Sequence, residues 1–566
     1  MMKQYPLHEF PTYVTVREML DAVSRKYRGR VAYSYRVKPS EAEARKVTFE
    51  EVREDVARFS TSILAHDLGR RHVALIGKLS YPWICSYLSL LACGAVVVPL
   101  DADWTEEDLA ATVERADCEA LFCSDDIMKG KAQAILQNKN VRIALNLDDA
   151  SCEDSLARWM EAGEELRAEG DRSYEEVRVN PGEMALLAFT SGTTGKGKGV
   201  MLNQTAILDD VSAALQVITA TPKTIALLPA HHTFGSNLNI IGHLCYGTEM
   251  YLSSGIRYLL RELKEQKPGH LILVPLFLES FRRKIEDAIR EKKMEKEFAR
   301  LVKVSNAMRK TGVDLRRKLF KGILDTFGGE LSLVVSGGAP LSPGLVEFFD
   351  NIGITILNGY GITECAPVIA VNRNKQQKEG SVGMVLPLDT VKIRHPDANG
   401  EGEVCVKGNN VMMGYYKDPE ATEAAFDEDF YFRTGDIGKM DDEGWLYITG
   451  RMKNLIILSN GKNVYPEEIE TVLSAIPGVE EVVVYEGESR RGIAYNTIVA
   501  EIYPNQDFLK NNGIGDPHEY FHPYIQDYNR NAVPYKKIGL LKVRSEDFPK
   551  NTLRKIMRFK IDKKID

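Results

Sequence analysis

Residues 190–200 read TSGTTGKGKGV. Four hydroxyl side chains (Thr190, Ser191, Thr193, Thr194) alternate with Gly192 and Gly195 and are followed by the ammonium groups of Lys196 and Lys198. Glycine lets backbone N–H groups approach a ligand closely, and hydroxyls and ammonium groups complete a site for a polyanion. The loop follows an apolar strand-like run, ALLAFT at 185–190. A plain turn of small residues is the bland alternative, but this density of hydroxyl, glycine and lysine after a strand points to phosphate binding. The spacing from Gly192 to Lys198 also fits the P-loop pattern G-x-x-x-x-G-K, yet Gly199 stands where a magnesium-binding Ser or Thr is required. The lysine of a P-loop should also open a helix. Here GVML reads as a further strand, and the next helix is expected only near Asn203.

Further segments carry chemistry: SGGAP at 336–340, NGYGITE at 358–364, YFRTGDIG at 431–438, GWLYITGRMKNLI at 444–456 and PKNTLRKIMR at 549–558. Together with the loop, in this order and spacing, they resemble the adenylate-forming superfamily of acyl-CoA synthetases, peptide adenylation domains and luciferases. The resemblance runs from about residue 50 to the end of the chain. It implies attack by a carboxylate oxygen on the α-phosphorus of ATP, with loss of pyrophosphate, and then transfer of the acyl group to a thiol. Catalysis of that kind is mainly positioning and cationic stabilisation of charge building on the phosphate oxygens.

The resemblance implies the following roles. Thr190, Ser191, Gly192, Thr193, Thr194, Gly195 and Lys198 cradle the phosphates. Gly337, Gly338 and Ala339 line the adenine pocket with Asn358, Gly359, Tyr360 and Gly361, and Tyr360 stacks on the base. Thr363 binds the α-phosphate. Glu364 ligates Mg²⁺, a hard cation suited to carboxylate oxygen, with Thr190 as a second contact. Asp436 takes the ribose hydroxyls with Arg451 beside it. Lys555 is the adenylation lysine, preceded by Arg554 where the family carries glycine; Lys550 and Arg554 are its alternatives, and Arg558 is expected beside it at a helix-like end. Lys453 is the hinge, and Ser459, Asn460, Gly461 and Lys462 face coenzyme A in the thiol-transfer arrangement. The bland alternatives are a core tyrosine, a helix-start carboxylate for Glu364, a strand-end turn at 336–340 and a salt bridge for Asp436 or Arg451.

LPAHHTFGSNLNIIGHLCYG at 228–247 matches the acyl wall of the family, with His232, Phe234 and Gly235, and APVIAV at 366–371 adds Val368. No aspartate stands there to hold an α-amino group, and the segments are apolar. A medium- or long-chain fatty acid is therefore the expected substrate, with ATP, Mg²⁺ and coenzyme A. An acyl carrier protein is the alternative acceptor, and the basic stretch 535–566, eleven Lys/Arg against four Asp/Glu, suits either. Rival readings are a P-loop NTPase or kinase, which would release ADP, and a catalytically silent nucleotide-binding scaffold.

These residues need a large frame to hold them. The 566 residues are enough for two to four domains, and 44% hydrophobic with 27% charged residues is ordinary globular composition. A net charge of −7 argues against a nucleic-acid binder. Eight scattered cysteines without C-x-x-C spacing argue against zinc and disulfides, and the N-terminal residues lack an apolar signal region, so a cytoplasmic location is expected. The uncharged stretch 79–100 is long enough to span a bilayer, but Pro82, Gly94 and Pro99 interrupt it. It reads as a buried helix to Cys93, a turn, then a buried strand, so no transmembrane segment is expected, although peripheral membrane contact stays open. Apolar runs at 72–79, 94–100, 185–190, 224–230 and 331–338 alternate with amphipathic stretches, the rhythm of an α/β fold. Residues 278–328 read as two solvated helices. Beyond 381 short strands and turns take over, as at Asp397–Gly400, followed by a helix opened by Pro466. The expected fold is α/β: a large N-terminal domain, 1–452, of layered α/β subdomains with a β-rich subdomain, plus a small mobile α+β C-terminal domain, 453–566.

Overall fold

A computed structural model describes residues 8–190, 197–458, 463–488, 494–550 and 556–565. The fold is mixed α/β, as the alternation of apolar runs requires, and the chain divides into two compact units. Among the described residues, the larger holds 8–190, 197–390 and 407–430; the smaller holds 391–406 and those from 431 onward.

The larger unit contains two extended sheets. In the first, the strands run in the order Arg45–Thr48, Val31–Tyr35, Glu249–Leu252, Lys223–Ala226, His270–Leu273, Leu333–Ser336, Thr355–Gly361, Val368–Val371, Gly383–Val385. From Val31–Tyr35 to Thr355–Gly361 they are parallel. Their carboxyl ends therefore lie at one edge, where ligands of open α/β sheets bind. That edge carries three sequence-predicted segments: 228–235 after Ala226, 337–339 after Ser336, and 358–361 at the end of its own strand.

The second sheet has the order Gly414–Tyr415, Gly199–Asn203, Met184–Phe189, Val96–Leu100, His72–Ile76, Ala120–Cys123, Ile143–Asn146. The uncharged stretch 79–100 folds as expected. Ser80 caps a helix, Tyr81–Ala92, with Pro82 in its first turn, and Gly94 turns the chain at φ +85° into the buried strand Val96–Leu100. Among the described residues no helix is long and apolar enough to cross a membrane. The charge-dense stretch gives helices Pro275–Glu291 and Glu295–Lys310, and the first buries Leu278, Phe281 and Ile285 on one stripe.

In the smaller unit, Asp397–Glu401 forms the expected turn: Gly400 N–H donates to the Asp397 carbonyl at φ +77°. Phe432–Met440 and Trp445–Arg451 form an antiparallel hairpin. The later part packs the helices Pro466–Leu473 and Pro517–Asn531 on a three-stranded sheet, Val479–Glu488, Ala494–Pro504 and Ile538–Val543. Their core includes Ile469, Leu473, Val484, Ile502, Phe521 and Ile538. The division by compactness lies upstream of residue 453, because 391–406 pairs with the hairpin strand Phe432–Met440.

Candidate functional site

Two antiparallel strands flank the glycine-rich segment. Met184–Phe189 pairs with Gly199–Asn203 up to Phe189 opposite Gly199. Thr190 N–H then donates to the Lys198 carbonyl at 3.0 Å, and the Thr190 hydroxyl reaches the same oxygen at 3.4 Å. Thr190 and Lys198 thus close the base of the loop. Ser191, Gly192, Thr193, Thr194, Gly195 and Lys196 lie outside the described residues. The following helix, Gln204–Val217, begins only after Asn203, whose side-chain oxygen caps Ala206 N–H at 2.8 Å. A P-loop places its lysine at a helix start, so Lys198, which precedes the strand Gly199–Asn203, does not stand in a P-loop.

Lys198 leans over the ring of Tyr415, its Nζ 4.3 Å from the centroid. The Tyr415 hydroxyl donates to Glu364 Oε1 at 3.0 Å. Burial, helped by the Glu364 charge, raises the Tyr415 pKa, so the phenol stays a donor. Glu364 lies in a half-buried turn, Thr363–Cys365, and its carbonyl accepts from Met412 N–H at 2.8 Å. Lys198, Glu364 and neighbouring Thr363 therefore stand together, a cation and a hard anion at the loop base. Tyr415 lay beyond every motif read from the sequence. It arrives through pairing of Gly414–Tyr415 with Met201 and Val200, a long-range contact without a local signature.

At the sheet edge, Asn358, Gly359 and Tyr360 are half-buried. The Asn358 side chain donates to the Ser381 carbonyl at 3.1 Å and so holds the strand end. Gly361 faces the Pro367 carbonyl, where a Cβ would lie 1.9 Å from the oxygen. Gly337 is less tightly fitted: a Cβ there would be 3.3 Å from the Gly359 carbonyl and 3.6 Å from Phe234 Cζ. Gly338 takes φ +83°, and Ala339 is half-buried. The candidate adenine segments thus meet the candidate acyl residue Phe234 at one point.

Phe234 and Gly235 open a π-helix, Phe234–Ile241, which the sequence reading did not anticipate. Such turns are rare and frequent at functional sites. Gly235 is required, because a Cβ would lie 2.1 Å from the Pro229 carbonyl oxygen. Asn237 accepts from the Tyr87 hydroxyl at 2.7 Å and donates to the Ala366 carbonyl at 3.1 Å, which ties the turn to the segment before Val368. Phe234 and Val368 share one apolar cluster with Leu228, Leu238, Val274 and Leu357. His232 is half-buried beside His231, ring centroids 4.2 Å apart, and burial lowers the His231 pKa although Asp101 lies 3.6 Å away.

Behind Val368 lies a buried polar knot. Val368 N–H donates to Asp210 Oδ1 at 3.1 Å. Asn410 Nδ2 donates to that oxygen, to the Val368 carbonyl and to Asp389 Oδ2 at 3.0–3.2 Å. Asp210 Oδ2, Asp389 Oδ1 and Asn410 Oδ1 are buried without a partner among the described residues. Burial drives the Asp210 pKa well up and the Asp389 pKa to about 7.

In the smaller unit, Asp436 and Arg451 are cross-strand partners, with Nε and Oδ1 2.7 Å apart. The carboxylate side chain is 3% exposed and the guanidinium 57%. The ion pair named as the bland alternative is therefore present, and it also presents both ribose candidates together. Lys453 is exposed in a short 3₁₀ turn, Met452–Asn454. Ser459, Asn460, Gly461, Lys462, Arg554 and Lys555 lie outside the described residues. Lys550 pairs with Glu481 and Asp547, so it is engaged within its own unit. Arg558 opens a 3₁₀ turn instead of a helix end, and its guanidinium turns to Glu470 and the Val484 carbonyl.

Comparison with known proteins identifies the family and the fold. The AMP-binding enzyme family model matches residues 20–416. Long-chain-fatty-acid–CoA ligase 5 of Rattus norvegicus is 30% identical over 451 residues, covering 74% of this chain and 65% of that protein. The match thus spans a little under two thirds of that relative's length. The chloroplastic long-chain-fatty-acid–[acyl-carrier-protein] ligase AEE15 of Arabidopsis thaliana is 26% identical over 558 residues, covering 86% and 75%. ATP-bound MatB from Rhodopseudomonas palustris has a TM-score of 0.74 at 22% identity, covering 96% and 97%, a likeness of fold. By its sequence match over most of its length, this chain belongs to the AMP-binding enzyme family.

Proposed function

We propose that the protein activates a carboxylic acid with ATP and passes the acyl group to the thiol of coenzyme A. A carboxylate oxygen bonds to the α-phosphorus as the bond to the pyrophosphate leaving group breaks. The thiol then attacks the acyl carbon, and AMP leaves with that carboxylate oxygen. The observation that carries this reading is the convergence of Lys198, Tyr415 and Glu364 at the base of the 190–198 loop.

Glu364 supplies a carboxylate oxygen and Thr190 a hydroxyl, a hard donor set that fits Mg²⁺. Magnesium, when bound with the nucleotide, neutralises charge on the phosphate oxygens. Lys198 adds a fixed cation for the phosphates, and Thr363 donates a hydrogen bond to the α-phosphate. Tyr360, flanked by Gly359 and Gly361, stacks on adenine beside Gly337, Gly338 and Ala339. Asp436 accepts from the ribose hydroxyls, with two oxygens for two donors. Lys555 carries the second cation, on a mobile domain 453–566 that turns about Lys453, and Ser459–Lys462 meets the thiol substrate.

The acid is a medium- or long-chain fatty acid. The apolar cluster around Phe234 and Val368 supports this, since each buried CH₂ contributes about 0.8 kcal/mol. The name of the Rattus norvegicus relative points the same way. Transfer to an acyl carrier protein is the second reading, favoured by the name of the Arabidopsis thaliana relative. A panel of carboxylic acids with ATP, scored for pyrophosphate and AMP with and without coenzyme A, tests both. Acceleration of AMP release by coenzyme A with fatty acids is expected. Failure of every acid to yield pyrophosphate would reject the reading, and acceleration by carrier protein alone would replace the acceptor.

A further inference from the structure

Tyr415 engages two candidate groups with one side chain. Its ring face carries the Lys198 ammonium at 4.3 Å, and its hydroxyl donates to Glu364 Oε1 at 3.0 Å. The residue is held from several directions. Its N–H donates to Thr422 Oγ1 at 2.8 Å, the Tyr416 N–H donates to the Gly199 carbonyl at 2.8 Å, and Tyr415 pairs with Val200 in the strand that leaves the loop. Gly414 before it has φ +141°, and a Cβ there would lie 2.7 Å from Thr422 Cγ2, so the approach is fitted to glycine. The phenol is 8% exposed. This is a rigid mount, built by two strands and a threonine.

A carboxylate offers two oxygens, and a hydrogen bond to one fixes the direction of the other. A cation over an aromatic face is likewise held without losing its charge or its remaining donors. We propose that Tyr415 is a positioning residue: its hydroxyl occupies Oε1 of Glu364 and aims Oε2 at the nucleotide-bound metal, while its ring seats Lys198 for the phosphates. The proposal rests on the reading of Glu364 as the Mg²⁺ residue. Partners that orient metal-binding carboxylates typically carry about 10–100-fold of metal affinity. Tyr415→Phe keeps the ring, its packing and the Lys198 seat, and removes only the hydrogen bond. Tyr415→Leu removes the ring as well.

The test measures binding without turnover. Paramagnetic resonance of Mn²⁺ gives its affinity for the full chain in the presence of α,β-methylene-ATP, and calorimetry gives the affinity of that analogue without metal. Tyr415→Phe is expected to weaken Mn²⁺ binding by about 10–100-fold. Glu364→Gln is expected to weaken it also, and adding Tyr415→Phe to Glu364→Gln should cause little further loss, since the two act through one oxygen pair. Tyr415→Leu, unlike Tyr415→Phe, should weaken the metal-free analogue. If Glu364→Gln loses Mn²⁺ while Tyr415→Phe binds it as the native chain does, the positioning role is overturned and the metal reading stands. If Glu364→Gln leaves Mn²⁺ binding unchanged, the metal reading fails and takes the proposal with it. Equal metal-free affinities for the Leu and native proteins would overturn the role of the ring.

Discussion

Replacing Asp389 by Asn should change how the fold responds to pH. Asp389 Oδ2 accepts from Asn410 Nδ2 at 3.1 Å, while Asp389 Oδ1 and Asn410 Oδ1 are sealed from solvent without partners among the described residues. Both orphan oxygens face Gly408, where an added Cβ would lie 2.1 Å from one and 2.9 Å from the other. A protonated Asp389 carries a proton for a neighbouring acceptor; an ionised one leaves its own Oδ1 and Asn410 Oδ1 as buried acceptors without a donor among the described residues. Burial raises its pKa from 3.8 to about 7. The sign follows from linkage. A carboxyl with a raised folded pKa contributes fully below its unfolded value, and that stability is lost as pH rises towards 7. At about 1.4 kcal/mol per tenfold change in proton affinity, the loss has an upper bound of roughly 4 kcal/mol. Asn is the neutral isostere of the protonated acid, and its amide can donate where the proton did. Urea unfolding of the native and Asp389→Asn proteins from pH 4 to pH 8 reads Asp389 together with Asp210, which shares Asn410 with it, while titrations far from the knot cancel in the difference. The two should agree within about 1 kcal/mol at pH 4, and the variant should be the more stable by about 2–4 kcal/mol at pH 8. Parallel profiles across the range would refute the buried-acid assignment.

Other perturbations reach the site itself. Gly361→Ala forces a Cβ against the Pro367 carbonyl; it should cost at least about 1–3 kcal/mol in unfolding free energy and weaken nucleotide binding by shifting Tyr360, measured by calorimetry. Lys555→Ala should slow acyl-adenylate formation by about 10²–10³-fold while sparing thiol transfer from pre-made acyl-AMP; equal losses in single-turnover assays of both half-reactions would reject its role. Lys453→Pro should slow thiol transfer more than adenylation, and unchanged rates in both would argue against a hinge there.

Much of the frame was legible because it rests on local rules. The buried helix and strand within 79–100 follow from proline, glycine and valine placement, and the strand pair flanking residues 190–198 from an apolar run on each side. Pro466 at a helix start and the turn at Asp397–Gly400 are likewise local. The π-helix at Phe234–Ile241 was hidden, since its widened turn is imposed by packing of Gly235 on Pro229 and by the bonds of Asn237. Tyr415 was hidden for a related reason: a two-residue strand far along the chain brings it to Lys198 and Glu364. The Asp210–Asn410–Asp389 knot joins three distant segments, and no local pattern marks its members as partners. Sequence order exposes motifs, but side chains that aim those motifs come from pairings between distant segments.

The central claim is that a carboxylate oxygen of the substrate joins the α-phosphorus of ATP. Fatty acid labelled with heavy oxygen in its carboxylate, incubated with the protein, ATP and coenzyme A, reports this directly through mass spectrometry of the products. The account predicts AMP carrying one labelled oxygen, with unlabelled pyrophosphate. Label in orthophosphate, or ADP as the nucleotide product, would contradict it.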